Sequence, residues 1–582
     1  MNTAYNNERA VQMLIYLLKA HNIKKIVASP GTTNITFVGS LQSDPYFEIY
    51  SAPEERSAAY MACGLAAESG EAVVLTCTGA TASRNYIPGL TEAFYRKLPV
   101  LAVTSTQHVG RIGQLVPQVI DRSIIQNDIS VMNVTLPIIH SAEDEKDCNI
   151  KINTALLALF HRGGGPVHIN LQTEYTRTFD VKNLPDFRVI REIGFADKLP
   201  AIKAGKVGIF IGAHKRFSQE MIEVIDGFCE KYNACVFIDH TSNYYGKYGV
   251  LYNLVSDQTE HKSETGTMDL LIDIGDMSGA YMSLRPKTVW RVCPDGKVAD
   301  RFGKMTYLFD MDEYVFFRRY NTKAGESKEN ISYYKACISE YRQIRKNIPE
   351  LPFSNAWVAR NSVDLIPKSS VLHLGILNSL RCWNFFEIDN SVEGYCNTGG
   401  FGIDGIVSTF IGSALVFPDR LHFCVLGDLA FFYDLNSMGN RHVGKNCRIM
   451  LINNGVGTEF KNYNHFAAQF GDDANAYMAA MGHYGVKSPY LVKHYAEDLG
   501  FTYLCANDKK SYLEQCEIFF SENDQEKPII FEVFTDHKDE SDALRLIKTT
   551  DDRKSTSEAV KDAAKEILGA KNIEKLRKIV KH

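Results

Sequence analysis

The sequence lacks the features that mark membrane, secreted and nucleic-acid-binding proteins. No stretch reaches the roughly 18 uninterrupted apolar residues that a membrane helix needs. The first residues, MNTAYNNERAVQML, contain no basic segment followed by an apolar run. The formal net charge is only −5 over 582 residues, so no general attraction to nucleic acid or anionic membranes is expected. We therefore predict a cytoplasmic protein that binds neither of them.

Two further absences narrow the class of site. The 13 cysteines are odd in number and show no CxxC spacing, which favours buried reduced thiols over a disulfide framework or a zinc site. No predicted strand is followed by a complete GxGxxG, so nicotinamide binding, which an α/β pattern leaves open, is disfavoured.

What the sequence does contain is a repeated alternation of helical segments with short apolar runs, the pattern of parallel α/β domains. The length favours about three domains. We predict an N-terminal domain over 1–186, a central domain over 187–345, a third domain over 346–538 and a charged helical tail over 539–582. The predicted strands are 24–29, 72–77, 99–105, 167–171, 207–213, 234–239, 270–275, 289–294, 371–375, 421–428, 448–454 and 529–534.

Polar residues follow two neighbouring strands of the third domain. Asp428 comes after a buried strand and a glycine, and Asn453 and Asn454 end the next strand. Ligands of open parallel sheets bind at the carboxyl ends of the strands, so these oxygens can converge on a hard cation such as Mg²⁺ or Ca²⁺. A turn after Asp428 leads into the segment DLNSMGN (434–440), where the N-terminus of a predicted helix would offer free backbone N–H groups to phosphate. An ordinary strand-turn-helix repeated twice is the alternative explanation.

Together these residues resemble the cofactor motif of thiamine diphosphate enzymes, Gly-Asp-x followed after about two dozen residues by Asn-Asn. Here residues 430–452, 23 in number, separate Gly427-Asp428-Leu429 from Asn453-Asn454, as one crossover requires. The resemblance implies thiamine diphosphate with Mg²⁺, or another divalent cation such as Ca²⁺ or Mn²⁺. It also implies Asp428, the Asn454 side chain and the main-chain oxygen of Val456 as metal ligands. Leu429 replaces the commoner glycine.

The segment GDLAFFYDLNSM resembles one branch of these enzymes, the menaquinone-pathway 2-succinyl-5-enolpyruvyl-6-hydroxy-3-cyclohexene-1-carboxylate synthases. The likeness continues through SPGTTN (29–34), CTGATASRNYIPGLTEA (77–93) and NTGGFGIDGIVST (397–409). It implies three doubly wound α/β domains: pyrimidine-binding, central and diphosphate-binding. It also implies at least a homodimer, with each active site between subunits; the sequence does not separate dimer from tetramer.

Thiamine chemistry needs a carboxylate against N1′ of the aminopyrimidine. The segment APEERSAAYMACGLAAESG (52–70) resembles the segment of the family that supplies it, and alignment on Arg56 and Ser57 selects Glu55. Both Glu54 and Glu55 also suit a helix N-terminus, and for Glu54 that explanation is preferred. For Glu55 the activating role is preferred.

Other site residues are implied by position in the resemblance alone. Asn378 and Ser379 fall where relatives touch the diphosphate. Ile403 falls where an aliphatic side chain holds the cofactor bent, although it also suits a plain core position. Gln118 falls where relatives keep a glutamine facing the substrate, and His108 is a candidate proton donor because histidine titrates near neutral pH. A structural histidine is the commoner case.

Two arginines of the synthase branch are missing. Thr33 and Thr398 stand where the resembled segments carry arginine, and threonine offers no charge to a carboxylate. We therefore predict a thiamine-dependent enzyme that decarboxylates a 2-oxo acid, with pyruvate as the default donor, and transfers the acyl carbanion to a less acidic acceptor (carboligation). Arg84 and Arg381 are candidate replacements by loop position. The alternatives are the synthase reaction of the menaquinone pathway and a catalytically silent cofactor-binding homologue.

Overall fold

The computed structural model describes residues 4–260, 262–322, 330–523 and 526–551. Within them the chain divides into two compact units. The first unit comprises residues up to Leu199 together with Val289–Asp312, and the second comprises Pro200–Thr288 and the residues from Glu313 onward. No helix among these residues is long and apolar enough to cross a membrane. The predicted boundaries of three domains stay predictions.

The N-terminal segment forms a six-stranded parallel sheet in the order β3-β2-β4-β5-β7-β6. An antiparallel pair, β1 with β8, lies apart from it. The strands are β1 (Tyr5–Asn6), β2 (Lys25–Ala28), β3 (Glu48–Ser51), β4 (Val73–Cys77), β5 (Val100–Thr106), β6 (Met132–Leu136), β7 (Val167–Gln172) and β8 (Phe179–Val181). The helices are α1 (Arg9–Ala20), α2 (Ile35–Gln42), α3 (Glu55–Ser69), α4 (Ala80–Asn85), α5 (Ile87–Tyr95) and α6 (Ala142–Ala158).

Helices cover both faces of this sheet, which is why its inner strands are uniformly apolar. One core layer includes α1, α6 and residues such as Leu14, Ile26 and Val103. The other layer lies under α3 and α5 and includes Ala59, Leu75 and residues around them. The stripe of small residues on α3 allows close packing against α5.

The central segment contributes strands to both units. In the second unit the order is β12-β11-β10-β13, all parallel. In the first unit β14 pairs with β15 and β15 with β9, also in parallel. The strands are β9 (Arg191–Gly194), β10 (Val207–Ile211), β11 (Ala234–Ile238), β12 (Gly249–Leu251), β13 (Thr267–Ile274), β14 (Arg285–Cys293) and β15 (Met305–Asp310). The helices are α7 (Gln219–Tyr232), α8 (Asn253–Ser256), α9 (Glu313–Thr322) and α10 (Ser332–Asn347).

The third segment forms a second six-stranded parallel sheet, in the order β17-β16-β18-β19-β21-β20. Its strands are β16 (Val371–Leu374), β17 (Glu393–Tyr395), β18 (His422–Gly427), β19 (Cys447–Asn453), β20 (Thr502–Ala506) and β21 (Ile529–Phe534). Its helices are α11 (Asn355–Ser362), α12 (Asn378–Trp383), α13 (Ile406–Val416), α14 (Asp428–Tyr433), α15 (Ala474–Tyr477), α16 (Leu491–Asp498), α17 (Lys509–Phe519) and α18 (His537–Lys548). The predicted class of parallel α/β domains is confirmed.

Short 3₁₀ helices connect many of these elements. They span Val109–Arg111, His161–Gly163, His240–Ser242, Glu264–Gly266, Val363–Leu365, Leu435–Gly439, Thr458–Lys461, Phe466–Asp473 and Tyr484–Lys487.

The predicted charged tail begins inside α18, and this helix is not merely solvated. Glu540, Leu544 and Ile547 are buried on one face, and the main-chain oxygen of Ile547 accepts a hydrogen bond from Gln258. The lysines and acids of the segment concealed this buried stripe in the composition. Residues 552–582 of the predicted tail lie outside the described residues.

Candidate active site

A cavity of about 200 Å³ lies at the carboxyl ends of β16, β18 and β19. The strand order reverses between β16 and β18, which is where open α/β sheets bind ligands. All the third-domain residues predicted for the site line this one cavity: Asn378, Ser379, Ile403, Gly427, Asp428, Leu429, Asn454 and Val456. The structure therefore brings together residues that are up to 78 positions apart in the sequence (456 minus 378).

Asp428 is the buried acid at the centre of this edge. It is 5% exposed, and its carboxylate accepts hydrogen bonds from the backbone N–H of Leu429 (2.7 Å) and of Gly455 (2.6 Å). Burial raises the pKa of Asp428 to about 6, although these N–H groups act in the opposite direction. A charged carboxylate in such a position is stabilised by a bound cation.

The end of β19 supplies oxygen atoms beside Asp428. Oδ1 of Asn454 accepts a hydrogen bond from the backbone N–H of Val456 at 3.3 Å, and the main-chain oxygen of Val456 accepts one from Thr458 at 3.3 Å. Asn453 has a different partner, because its amide donates to Glu532 at 2.7 Å. The oxygens of Asp428, Asn454 and Val456 make a donor set that suits Mg²⁺ or Ca²⁺.

The end of β16 contributes Asn378 and Ser379, the first residues of α12. Ser379 is 2% exposed and its hydroxyl accepts a hydrogen bond from the Asn355 amide at 3.1 Å. The Asn378 oxygen accepts from Arg381 at 2.8 Å. Arg381 also makes a bidentate ion pair with Glu459, at 2.7 and 3.0 Å. Its charge is therefore neutralised, which weakens its candidacy as a replacement for the missing arginines.

Two cavity residues act through shape. Ile403 packs against the core cluster of the third sheet and also lines the cavity, and its contact with the cofactor stays a prediction. Gly427 has no atom within 4 Å of where a Cβ would lie. That open space lies at the N-terminus of α14, where backbone N–H groups favour phosphate oxygens.

Sequence reasoning missed a second buried acid, Glu540. It lines the same cavity, is 1% exposed, and accepts hydrogen bonds from the backbone of Asn355 (3.0 and 3.1 Å) and from Thr535 (2.7 Å). Burial, with a smaller effect of the Asp428 charge, raises the pKa of Glu540 to about 7. The composition of the charged tail gave no sign of this position.

The start of α3 separates the two candidate glutamates of the N-terminal domain. Glu54 caps the helix, accepting from the backbone N–H of Arg56 (3.1 Å) and Ser57 (2.8 Å), and bonds to Ser57 lower its pKa. The explanation of Glu54 as a helix-end acid is thus confirmed. Glu55 is half-buried and accepts one hydrogen bond, from the Asn85 amide at 3.2 Å. Its carboxylate is therefore not used to cap the helix.

Thr33 is tied into the carboxyl edge of the first sheet. It is 2% exposed, and its hydroxyl bonds to Thr78 Oγ1 (2.6 Å), the main-chain oxygen of Ser105 (3.1 Å) and the N–H of Gly79 (3.2 Å). Gly31 allows this approach, since a Cβ there would lie 2.3 Å from Thr78. A neighbouring cavity of about 570 Å³ opens between the ends of β2 and β3.

His108 and Gln118 lie on the exposed segment after β5. Nδ1 of His108 accepts a hydrogen bond from Gly110 at 3.0 Å and caps a 3₁₀ helix, which is a local structural role for that nitrogen. Gln118 has a positive φ of 64° and is exposed. The guanidinium of Arg84, in α4, donates to the main-chain oxygen of Asp121 in this segment at 2.8 Å. The catalytic roles of His108 and Gln118 stay predictions.

Comparison with known proteins identifies the family. Residues 8–127 match the model of the thiamine pyrophosphate enzyme, N-terminal TPP binding domain. The chain is 30% identical over 571 residues to a 2-succinyl-5-enolpyruvyl-6-hydroxy-3-cyclohexene-1-carboxylate synthase of Bacteroides fragilis, covering 93% of this chain and 98% of that protein. It belongs to this family of thiamine pyrophosphate enzymes. The synthase family also includes similar proteins from Bacteroides thetaiotaomicron (29% identical, 93% and 98% covered) and Flavobacterium johnsoniae (27%, 90% and 95%).

Because the chain belongs to this family, the lining of the cavity in the third segment can be compared with what thiamine diphosphate and a divalent cation would need. The buried Asp428 and Glu540, the oxygens of Asn454 and Val456, and the open space at Gly427 fit a cation and a diphosphate. Thr398, in contrast, is 6% exposed and offers no charge.

Proposed function

We propose that this protein uses thiamine diphosphate and Mg²⁺ to decarboxylate a 2-oxo acid and to transfer the acyl carbanion to an acceptor. The observation that carries the proposal is the cavity at the ends of β16, β18 and β19, where Asp428, Asn454 and Val456 present oxygen atoms beside the N-terminus of α14. The intact Glu55, Asp428 and Asn454 argue against a catalytically silent homologue.

Each residue has a defined task in this proposal. Bound thiamine diphosphate supplies the electron sink that stabilises the carbanion left by decarboxylation. Asp428, Asn454 and the Val456 oxygen hold the cation that neutralises the diphosphate. Glu55, oriented by Asn85, holds a proton at N1′ of the pyrimidine. Ile403 would contact the bound cofactor from the cavity wall, and His108 and Gln118 are the candidates for proton transfer and substrate contact.

Two substrate assignments follow from different observations. The synthase reaction for which the relatives are named is favoured by 30% identity over 98% of the Bacteroides fragilis protein. A pyruvate donor with a less acidic acceptor is favoured only by Thr33 and Thr398, which stand where the branch carries arginine. The extent of the likeness makes the synthase reaction the first assignment to test.

The test measures carbon dioxide release from 2-oxoglutarate, pyruvate, 2-oxobutyrate and phosphonopyruvate, with thiamine diphosphate, Mg²⁺ and isochorismate present or absent. Wild type should release carbon dioxide from one donor, and Glu55→Gln should lower that rate by about 100-fold or more. Turnover of 2-oxoglutarate with isochorismate, and none of pyruvate, would select the synthase reaction. Cofactor binding without release from any donor would favour the silent homologue.

Assembly and location belong to the same proposal. We expect a homodimer or homotetramer with active sites formed between subunits, in the cytoplasm, as for the resembled enzymes. Light scattering of the eluting protein distinguishes the monomer, dimer and tetramer. A monomer that is active at all protein concentrations would contradict the shared site.

A further inference from the structure

The Arg122 guanidinium is a buried charge with unused hydrogen-bond donors. Arg122 is 5% exposed, and its Nε donates to the Asn170 oxygen at 2.9 Å. Nη1 and Nη2 are both buried, and neither has a hydrogen-bond partner among the described residues. A guanidinium carries five N–H donors, and a buried charge left without partners is strongly disfavoured. Binding of an anion to these donors would remove the penalty of the unpaired buried charge.

The titratable neighbours of Arg122 do not supply that anion. The Cys77 thiol and the Arg84 guanidinium act on its charge, and burial is the main reason why its pKa is lowered to about 10. His168 is uncharged, since burial first and Arg122 second lower its pKa to about 3. The adjacent carboxylate of Asp121 is held by hydrogen bonds from Ser123, at 2.9 and 2.6 Å. Arg84 and Arg122 thus act on each other's charge, and no acid among the described residues bonds to the Arg122 guanidinium.

Arg122 reaches the carboxyl edge of the first sheet, beside Thr33. A Cβ on Gly79 would lie 3.3 Å from Nη1 of Arg122 and 3.0 Å from the main-chain oxygen of Ser105. Both Gly79 and Ser105 are hydrogen-bonded to the Thr33 hydroxyl. The guanidinium therefore lies next to the position where the synthase branch carries one of its missing arginines, although it comes from a different segment.

We infer that Arg122 determines substrate specificity by binding a carboxylate that the substrate keeps after decarboxylation. This inference rests on the proposed function and names the substrate class of that site: a dicarboxylic 2-oxo acid or an acidic acceptor. Binding the carboxylate that is lost would stabilise the ground state more than the transition state and slow the reaction. A bidentate arginine suits the retained carboxylate.

Entry of the ligand requires the covering segment to shift. The backbone of Gln118 lies against Gly79 beside the guanidinium, and Leu115 and Gln118 are both non-glycine residues with positive φ, 58° and 64°. Such conformations cost free energy and are tolerated at sites that rearrange. Leu115 is 99% exposed, so displacing its side chain breaks little packing.

The experiment measures equilibrium binding of 2-oxoglutarate, pyruvate and isochorismate to the full chain with thiamine diphosphate and Mg²⁺, in the Glu55→Gln background that prevents turnover. Arg122→Met should weaken binding of one of the two polycarboxylates by about 10- to 100-fold, and binding of pyruvate by less than about 3-fold. Arg122→Lys should recover part of the loss. The affected acid shows whether the carboxylate belongs to the donor or to the acceptor.

A matched control separates this role from a structural one. Arg448 is 1% exposed, but its Nη1 donates to the main-chain oxygens of Lys445 (2.5 Å) and Cys447 (3.2 Å). Arg448→Met should lower the melting temperature without changing acid binding. Arg122→Met should leave the melting temperature of the ligand-free protein unchanged or higher, because it removes an unpaired charge.

The inference would be overturned if Arg122→Met left the affinities for both polycarboxylates unchanged, or if neither acid bound to the protein that keeps Arg122. It would also be overturned if Arg122→Met changed the oligomeric state, because an acid of the partner subunit would then be the anion beside Arg122. Carbon dioxide release without an Arg122 effect would reject this inference alone. If acid binding depends on Arg122 but the wild-type protein, which keeps Glu55, releases no carbon dioxide, the proposed function alone would be rejected.

Discussion

The first and third segments build the same sheet and leave opposite charges at the same edge. Counted along the chain, both sheets have the strand order 2-1-3-4-6-5. Two buried acids, Asp428 and Glu540, line the cavity at the carboxyl edge of the third sheet. At that of the first sheet the buried ionic group is Arg122. The shared topology therefore places the two candidate sites at the same edge of their sheets, and the loops decide which charge is buried there.

A pair of equivalent glycines shows the same difference on a smaller scale. Gly79 lies two residues after β4 and Gly427 is the last residue of β18, and each is the N-cap of a short helix. The space for a Cβ is filled at Gly79 and open at Gly427. The first edge is closed at Gly79 and has its cavity between the ends of β2 and β3, whereas the third edge is open at Gly427.

The largest effect is expected when Asp428, the acid proposed to bind the metal at the edge of the third sheet, is replaced. Asp428→Asn should weaken Mg²⁺-dependent binding of thiamine diphosphate by at least about 100-fold, about 3 kcal/mol, because it deletes a charged metal ligand. The control is Asp434→Asn: Asp434 is 6% exposed but bonds to Ser408 and Ser437 outside the cavity lining. Calorimetric titration should find its affinity within about 3-fold of wild type. Equal losses in both variants would refute the assignment.

The second test uses pH. The pKa of Glu540 rises from 4.5 to about 7 on folding, so the folded protein binds this proton more tightly than the unfolded chain. The free energy of unfolding of the metal-free protein should therefore fall by up to about 3 kcal/mol from pH 4.5 to pH 7. Glu540→Gln should remove that part of the fall in denaturant titrations across this window. An unaltered slope in the variant would show that Glu540 is charged without penalty.

The third test compares the two glycines directly. Gly79→Ala should lower the free energy of unfolding by about 1–2 kcal/mol, because the new Cβ would lie 3.0 Å from the Ser105 oxygen. Gly427→Ala should leave the ligand-free stability unchanged and weaken thiamine diphosphate binding by about 10-fold, since it fills the cavity. Thermal unfolding with and without cofactor measures both effects. Loss of stability in Gly427→Ala, or weaker cofactor binding with unchanged stability in Gly79→Ala, would contradict the comparison.

The smallest expected effect concerns Thr33. Thr33→Val keeps the shape but leaves the N–H of Gly79 without its partner, and should destabilise the protein by about 1–2 kcal/mol. Thr33→Ser, which retains the hydroxyl, should cost less than about 1 kcal/mol. Chemical denaturation of the two variants measures the difference. If both variants match wild type, the hydroxyl network does not hold this edge together.

The inner strands of both sheets were predictable and the outer strands were not. β4, β5 and β19 are buried throughout and appear in the sequence as continuous apolar runs. The edge strands β3, β6, β17 and β20 are partly exposed and mix polar with apolar residues, and none of them was predicted. An edge strand is only partly buried, so it lacks the continuous apolar run on which the prediction of a strand depends.

The same limit applied to the site. Asp428, Leu429 and Asn454 were found because their motif occupies one strand-helix-strand crossover, in which spacing along the chain sets spacing in space. Glu540 and Arg122 were missed because neither belongs to such a motif. Glu540 lies in a segment that resembles a solvated tail, and Arg122 lies in a loop.

The sequence by itself determined the α/β class, the inner strands and the Gly-Asp to Asn-Asn spacing, since each depends on residues close along the chain. Only the tertiary structure decided which ionisable side chains lose their water. Glu54 and Glu55 are adjacent in sequence, yet one caps a helix and the other is free of that role. Arg381 is paired with Glu459, whereas two nitrogens of Arg122 have no hydrogen-bond partner among the described residues. Burial and pairing arise from long-range packing, which no local pattern encodes.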